Sequence, residues 1–331
     1  MQPMRVRLEP IDEYLHELGP EPNFNESMYF NFYDPSQKFG GFCRLANRAN
    51  EGKGEMTVCL YLPDGRVGFM FQRPEISDND SFDAGGMAFG VNAPFEHLTV
   101  RYEGKVVMLA DPLEMADPRK AFTENPYDEC LVELDYMGVG QPFGGEPDEP
   151  HERPGEEFAK GHYEQLGRAV GTVRVGTDEW SVRGFGLRDH SWGPRFWQAP
   201  WYYRWLTGNV GDDFGFMGSR IARQDRDGTR GGFVWDGEAL HLCNDFTIST
   251  SWQGDDVYHH DITAELTAGD QSWSITGKVL NLIPLRNRRD GLTTRISEGM
   301  TEWTLDDGRV GYGLSEYLDQ IIDDQPVGID E

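Results

Sequence analysis

The sequence contains no run of about 18 apolar residues, so it offers no membrane-spanning helix. Residues Met1 to Pro20 also lack the apolar segment that a secretory signal needs. Cysteine is scarce: Cys43, Cys59, Cys130 and Cys243 are scattered, with no CxxC spacing. That argues against a disulfide framework or a cysteine zinc site and fits buried thiols in a reducing cytoplasm. Basic residues are outnumbered, 30 Lys and Arg against 57 Asp and Glu, for a formal net charge of −27. Such a surface repels phosphate backbones and anionic headgroups, so nucleic-acid binding and membrane insertion are not expected. There is no GxxxxGK[ST] phosphate loop and no GxSxG elbow, and Gly184-Phe185-Gly186 lacks the third glycine of a dinucleotide turn. His259 and His260 are adjacent, so on a strand they point to opposite faces and chelate poorly; they read as part of an exposed polar strand. No metal and no cofactor are expected.

What is present is material for two cores. Hydrophobic residues make up 38% of the 331 and aromatics 12%, while 40 glycines and 19 prolines are spread along the chain. Composition and length predict an all-β protein of two packed antiparallel barrel or sandwich domains, residues 1–182 and 183–331. Helical signals are confined to Ile11–Leu18, Pro112–Phe122 and Pro154–Gly167, and Gln141–Gly155 reads as a mobile loop. Four hairpins are predicted from β-rich runs around short turns. The turns are Pro63-Asp64-Gly65, Glu103-Gly104, Gly208–Asp213 and Asp306-Asp307-Gly308. The first and last share an Asp-Gly-Arg-Val-Gly-aromatic string and a Glu-Gly lead-in (Glu51-Gly52 and Glu298-Gly299), which suggests a common origin of the two halves.

The most informative stretch is Arg183 to Arg195. On a strand, Gly184, Gly186, Arg188, His190 and Trp192 share one face, and the two glycines predict open room beside His190 and Trp192. An imidazole against aromatic walls can move protons near neutral pH, although a lone histidine there also fits a satisfied core residue. Arg188 and Asp189 also suit an ion pair. Trp201, Tyr203 and Trp205 follow as candidate substrate-binding aromatics, with Arg195 and Tyr312. Glu316 shares a strand face with Tyr312 and Leu314; among apolar walls it suits a neutral proton donor, and at a surface a solvated carboxylate. Glu26 reads as a buried carboxylate pairing with Arg44.

The run Asp189-His190-Ser191-Trp192-Gly193 resembles the Asp-His-x-Trp-Gly signature of the hydroxyneurosporene synthase (carotenoid 1,2-hydratase) superfamily. That superfamily includes lipocalin-like hydratases and fungal lipocalin-like Diels–Alderases, with tocopherol cyclases more distant. Phe24–Asp34 and Gly311–Tyr317 are similar to a bacterial branch with the same layout. The resemblance implies two lipocalin-like β domains with a pocket near their junction, and ties His190 and Trp192 to the active site. It also implies a Tyr and an Asp on a following strand; here the spacing gives Met217 and Ser219, a departure from carotenoid hydration itself.

Together these features predict a cofactor-independent lyase or isomerase acting on a hydrophobic isoprenoid-like or polycyclic molecule by hydration, dehydration, double-bond shift or cyclisation. His190, Trp192 and Glu316 are its candidate catalytic residues. The alternative is a carrier with the same pocket and no chemistry.

Overall fold

The computed structural model describes residues 6–148, 156–226, 228–255, 257–289 and 291–329. It is nearly all β, as composition predicted, and divides into two compact units. The first holds Met1–Ala110 and Asn125–Phe196; the second holds Asp111–Glu124 and Trp197–Glu331. The division thus falls after Phe196, not at 182, because the strand Asp178–Pro194 runs through the expected boundary without a break. The Asp-His-Ser-Trp-Gly run therefore belongs to the first unit, not to the C-terminal one.

The first unit contains β1 (Val6–Arg7), β2 (Phe24–Asp34), β3 (Phe39–Arg48), β4 (Lys53–Tyr61), β5 (Val67–Gln72), β6 (Asp83–Ala84) and β7 (Met87–Ala93). It continues with β8 (His97–Leu109), β9 (Tyr127–Pro147), β10 (Gly161–Val175) and β11 (Asp178–Pro194). Strands β9-β10-β11-β2-β3-β4-β5-β8 pair antiparallel in that order, and β8 pairs back to β9. The result is a closed eight-stranded barrel, which leaves no open edge in its wall. Phe30 on β2 meets Tyr136 on β9 at 5.2 Å between ring centroids, although two strands separate them in the wall, so these rings lie inside.

The second unit opens with a 3-10 turn at Pro112–Ala116 and helix α1 (Pro118–Glu124). Asp111 caps the turn by accepting from the Leu113 amide at 3.0 Å. Its strands are β12 (Tyr202–Asn209), β13 (Gly215–Ala222), β14 (Arg230–Trp235), β15 (Leu240–Cys243), β16 (Asp245–Gln253) and β17 (Tyr258–Ala268). They continue with β18 (Gln271–Arg289), β19 (Leu292–Leu305), β20 (Val310–Ile322) and β21 (Gln325–Pro326). The sheet runs β15-β14-β13-β12-β20-β19-β18-β17-β16 and wraps a core that includes Phe216, Leu266, Ile275 and Trp303.

Both units have the same connectivity. A four-strand meander is followed by a five-strand meander whose last strand returns beside the first: β11 beside β2, β20 beside β12. The two Asp-Gly turns are also alike. Asp64 and Asp307 each accept from the backbone and the Nε of an arginine two residues on, at 3.1 and 2.7 Å and at 3.0 and 2.7 Å. Yet these turns join β4 to β5 and β19 to β20, which are not equivalent in the shared connectivity. The Glu-Gly lead-ins differ too: Gly52 ends a 3-10 turn with φ +70°, whereas Gly299 lies within β19. The duplication is one of topology, and the sequence echo is not its trace.

Three local expectations are corrected. Glu103-Gly104 is no turn: β8 runs straight through it because β9 pairs with the strand along its length. Ile11–Leu18 is a 3-10 turn at Pro10–Glu13 followed by irregular chain. The loop expected over 141–155 and the helix expected over 154–167 meet long strands instead, β9 reaching Pro147 and β10 starting at Gly161. The parts of both expectations at 149–155 lie outside the described residues.

Candidate functional site

Alternation along β11 puts Arg188, His190 and Trp192 on the inner face of the first barrel, as the sequence implied, and Asp189 and Ser191 on the outer face. Open room beside them is not found. A Cβ on Gly186 would stand 1.8 Å from the backbone oxygen of Asn31, and one on Gly184 2.5 Å from that of Tyr33. Both glycines let β2 come close. Gly161, the register partner of Trp192 on β10, serves the indole in the same way: a Cβ there would meet the ring at 2.2 Å.

The space inside is filled by polar side chains from distant segments. The N-terminal chain brings Asp12, Glu13 and His16 onto this face, and the loop before β6 brings Asn79. Glu13 pairs with Arg188 at 2.8 Å on each arm, and both are fully buried. Arg188 also donates to Tyr163 Oη and to Gln165 Oε1, each at 2.8 Å, and its guanidinium lies 4.7 Å from the Tyr163 ring centroid. Tyr163 in turn donates to Glu13 at 2.6 Å. The expected Arg188–Asp189 pair does not form, because the two residues point through opposite faces of the wall.

Glu26, on β2 and wholly buried, is the partner of His190. Its Oε1 lies 2.9 Å from His190 Nε2 and 2.7 Å from His16 Nδ1. Its Oε2 accepts from Asn79 at 2.6 Å and from the His16 amide at 3.0 Å. Burial pushes the Glu26 carboxyl up, but the hydrogen bonds and charges of His16 and His190 outweigh it and hold the group at about 2. Arg44, its expected partner, is on the outer face, 3.7 Å from Glu55. The imidazole of His16 stacks on Trp192 at 3.9 Å, and Tyr163 Oη is 3.4 Å from His190 Nδ1. His16, Glu26 and His190 can each offer one metal-ligating atom, all within 4.8 Å of one another.

On the outer face, Asp189 stands in a cross-strand row with Glu164, Tyr29 and Arg44. Burial raises its carboxyl to about 6 against the charges of Arg195, Arg44 and Arg188. Arg195 is also buried. Its Nη2 donates to Ser191 Oγ at 2.8 Å, and its guanidinium covers the Phe158 ring at 4.4 Å.

The remaining candidates form a separate group in the second unit. Trp205 and Glu316 are register partners on β12 and β20, and Tyr203 Oη donates to Glu316, so that carboxylate is not a lone solvated group. Tyr312 donates to Glu302 at 2.9 Å instead of joining Glu316. Trp201 precedes β12, half-buried. The strand reading of 259–260 holds for direction but not for exposure. His259 is buried, stacks on Tyr317 at 3.9 Å and bonds Ser315 Oγ at 2.9 Å. Sequence reasoning missed Glu13, His16, Asn79 and Tyr163; none of them sits near β11 in sequence, and no local pattern marks them.

Residues 9–321 match the family model for DUF7064, a domain of unknown function. No curated protein matches the sequence. Among solved structures, an AttH protein from Nitrosomonas europaea is similar with a TM-score of 0.62 and 13% identity, over 96% of this chain and 98% of that one. Kievitone hydratase from Nectria haematococca is similar with a TM-score of 0.58 and 9% identity, over 96% and 94%. CghA, solved with Sch210972, is similar with a TM-score of 0.56 and 12% identity, over 90% and 88%. At these identities the likeness is one of fold.

Proposed function

We propose that this chain, which belongs to the DUF7064 family, is a hydratase-type lyase that adds or removes water, or shifts a double bond, on a hydrophobic small molecule. The observation that carries this reading is the buried Glu26–His190 pair beside Trp192 and Tyr163, inside a lipocalin-like barrel. The anionic Glu26 fixes His190 with its Nε2–H toward the carboxylate. That tautomer leaves Nδ1 able to take up a proton, and Tyr163 Oη, whose own proton is committed to Glu13, stands 3.4 Å away as an acceptor for it. His190 is thereby set to accept a proton, to return it, or to orient the group that does. The buried indole of Trp192, stacked on His16, walls the pair on one side. Such chemistry needs no redox cofactor and no nucleotide. Of the N-terminal side chains around the pair, Asp12 and Glu13 are buried and His16 is partly exposed.

The fold shared with a hydratase supports the reaction class, and the resemblance at residues 189–193 supports the residues. Glu316 with Tyr203 is a second proton-bearing pair under the same reading. The competing reading, a carrier without chemistry, is favoured by the completeness of the inner network, in which Glu13, Arg188, Glu26 and His190 all have partners.

The test is isotopic. Isoprenoid alcohols, polyenes and hydroxylated polycycles are incubated with the protein in oxygen-18 water and in deuterium oxide. Label should enter a product with the parent protein and not with His190→Gln. Saturable binding of such molecules without any label uptake would establish the carrier instead.

A further inference from the structure

The two imidazoles beside Glu26 have an unusual proton problem. His16 faces Glu26 Oε1 with Nδ1 at 2.7 Å and Asp12 Oδ1 with Nε2 at 3.4 Å, so both ring nitrogens look at carboxylate oxygens. His190 faces Glu26 Oε1 with Nε2 at 2.9 Å and Tyr163 Oη with Nδ1 at 3.4 Å. Tyr163 already donates to Glu13 at 2.6 Å and so offers His190 an acceptor. A neutral imidazole has one N–H and cannot satisfy two acceptors. A cation between the two rings resolves this: the inner nitrogens give it their lone pairs while the outer N–H groups bond Asp12 and Tyr163.

We infer that His16 Nδ1, Glu26 Oε1 and His190 Nε2 form a binding site for a divalent first-row transition-metal ion such as zinc. The ligand types, two imidazoles and one carboxylate, suit such an ion and leave positions for water or substrate oxygen. The outer partners suit it as well. Asp12 on His16, Tyr163 on His190, and Asn79 on Glu26 Oε2 at 2.6 Å fix the orientation of each ligand, as partners of metal-bound groups do. The site is buried yet reachable, since His16 keeps a fifth of its side chain exposed. Ligands about 2.1 Å from an ion at tetrahedral angles stand about 3.4 Å apart, so the three atoms, which lie within 4.8 Å of one another, adjust by small side-chain shifts when an ion enters. This site goes beyond the proton-transfer reading above and departs from the sequence expectation of no metal, which weighed the cysteines and His259-His260 and paired Glu26 with Arg44. With the ion bound, His190 serves as a ligand, and a bound water becomes the acidic group.

The test reads binding, not activity. Purified protein is dialysed against zinc alone, and bound metal is measured by mass spectrometry. The cobalt form is examined by visible absorption. One ion per chain is expected, with the absorption of a low-symmetry cobalt site. His16→Gln should weaken zinc binding at least tenfold while leaving the far-UV circular dichroism unchanged, because His16 lies on the N-terminal segment outside the barrel wall. His190→Gln, buried in the wall, serves as the second variant. Absence of stoichiometric zinc in the parent, or binding unchanged in folded His16→Gln and His190→Gln, overturns the site. That result would leave the lyase reading to the label experiment, which does not depend on metal uptake.

Discussion

Glu13 and Arg188, 175 residues apart in sequence, meet in a two-armed ion pair of 2.8 Å per arm that water does not reach. The pair fastens the N-terminal segment to the barrel strand that carries His190. Removing one partner leaves a buried charge uncompensated, which costs about 3–5 kcal/mol. Replacing both by apolar residues removes that penalty. Glu13→Leu and Arg188→Met should therefore each destabilise strongly in urea unfolding, while the double variant should lose much less than their sum. Additive losses would show that the two act independently.

Trp192 is packed, not merely pocket-lining. Its indole is buried against His16, with Tyr163 6.3 Å away between centroids. Trp192→Ala should cost about 3–5 kcal/mol. Gly161→Ala, which pushes a methyl group into the same ring, should also lower the melting temperature. A Trp192→Ala melting curve that overlays the parent would contradict this packing.

Two kinds of glycine should separate by magnitude. Gly65 and Gly308 sit in open turns with φ of +90° and +84° and nothing within 4 Å of an added Cβ. Alanine there brings only backbone strain, about 1 kcal/mol. At Gly186 the added Cβ would overlap the Asn31 backbone, so alanine must part β11 from β2. Gly186→Ala should destabilise several times more than either turn variant, as read from urea midpoints.

His259 makes the second unit acid-sensitive. Burial lowers its pKa from 6.5 to about 3, helped by the charges of Arg204, Arg295 and His260 and opposed by its bond to the Ser315 backbone. The folded state holds the neutral ring, so its stabilising share is complete above 6.5. As pH falls from 6.5 toward about 3 the unfolded chain takes up a proton that the folded chain does not, and stability drops by a few kcal/mol. His259→Phe keeps the stack on Tyr317 and has nothing to titrate. Its stability should fall less than the parent's across that window.

Much of this molecule could be read from the chain because the relevant physics is local. Alternating β-formers and Asp-Gly turns specify hairpins one at a time, and three of the four expected hairpins are present. Alternation also places Arg188, His190 and Trp192 on one face whatever surrounds them. Glu103-Gly104 misled because glycine in a strand looks like a turn until the neighbouring strand is known; β9 pairs across it and keeps it extended.

The partners of those residues were decided by tertiary structure alone. Closing the barrel puts β2 beside β11, and so delivers Glu26 to His190 across 164 residues. The covering N-terminal segment then adds Glu13 and His16 to the same cluster. Nothing in the neighbourhood of any of these residues records that meeting, because it is set by which strands adjoin around the wall. The sequence by itself determined the strands, their faces and the single imidazole worth watching. The fold decided that this imidazole shares one carboxylate oxygen with a second histidine, and so what the site can hold.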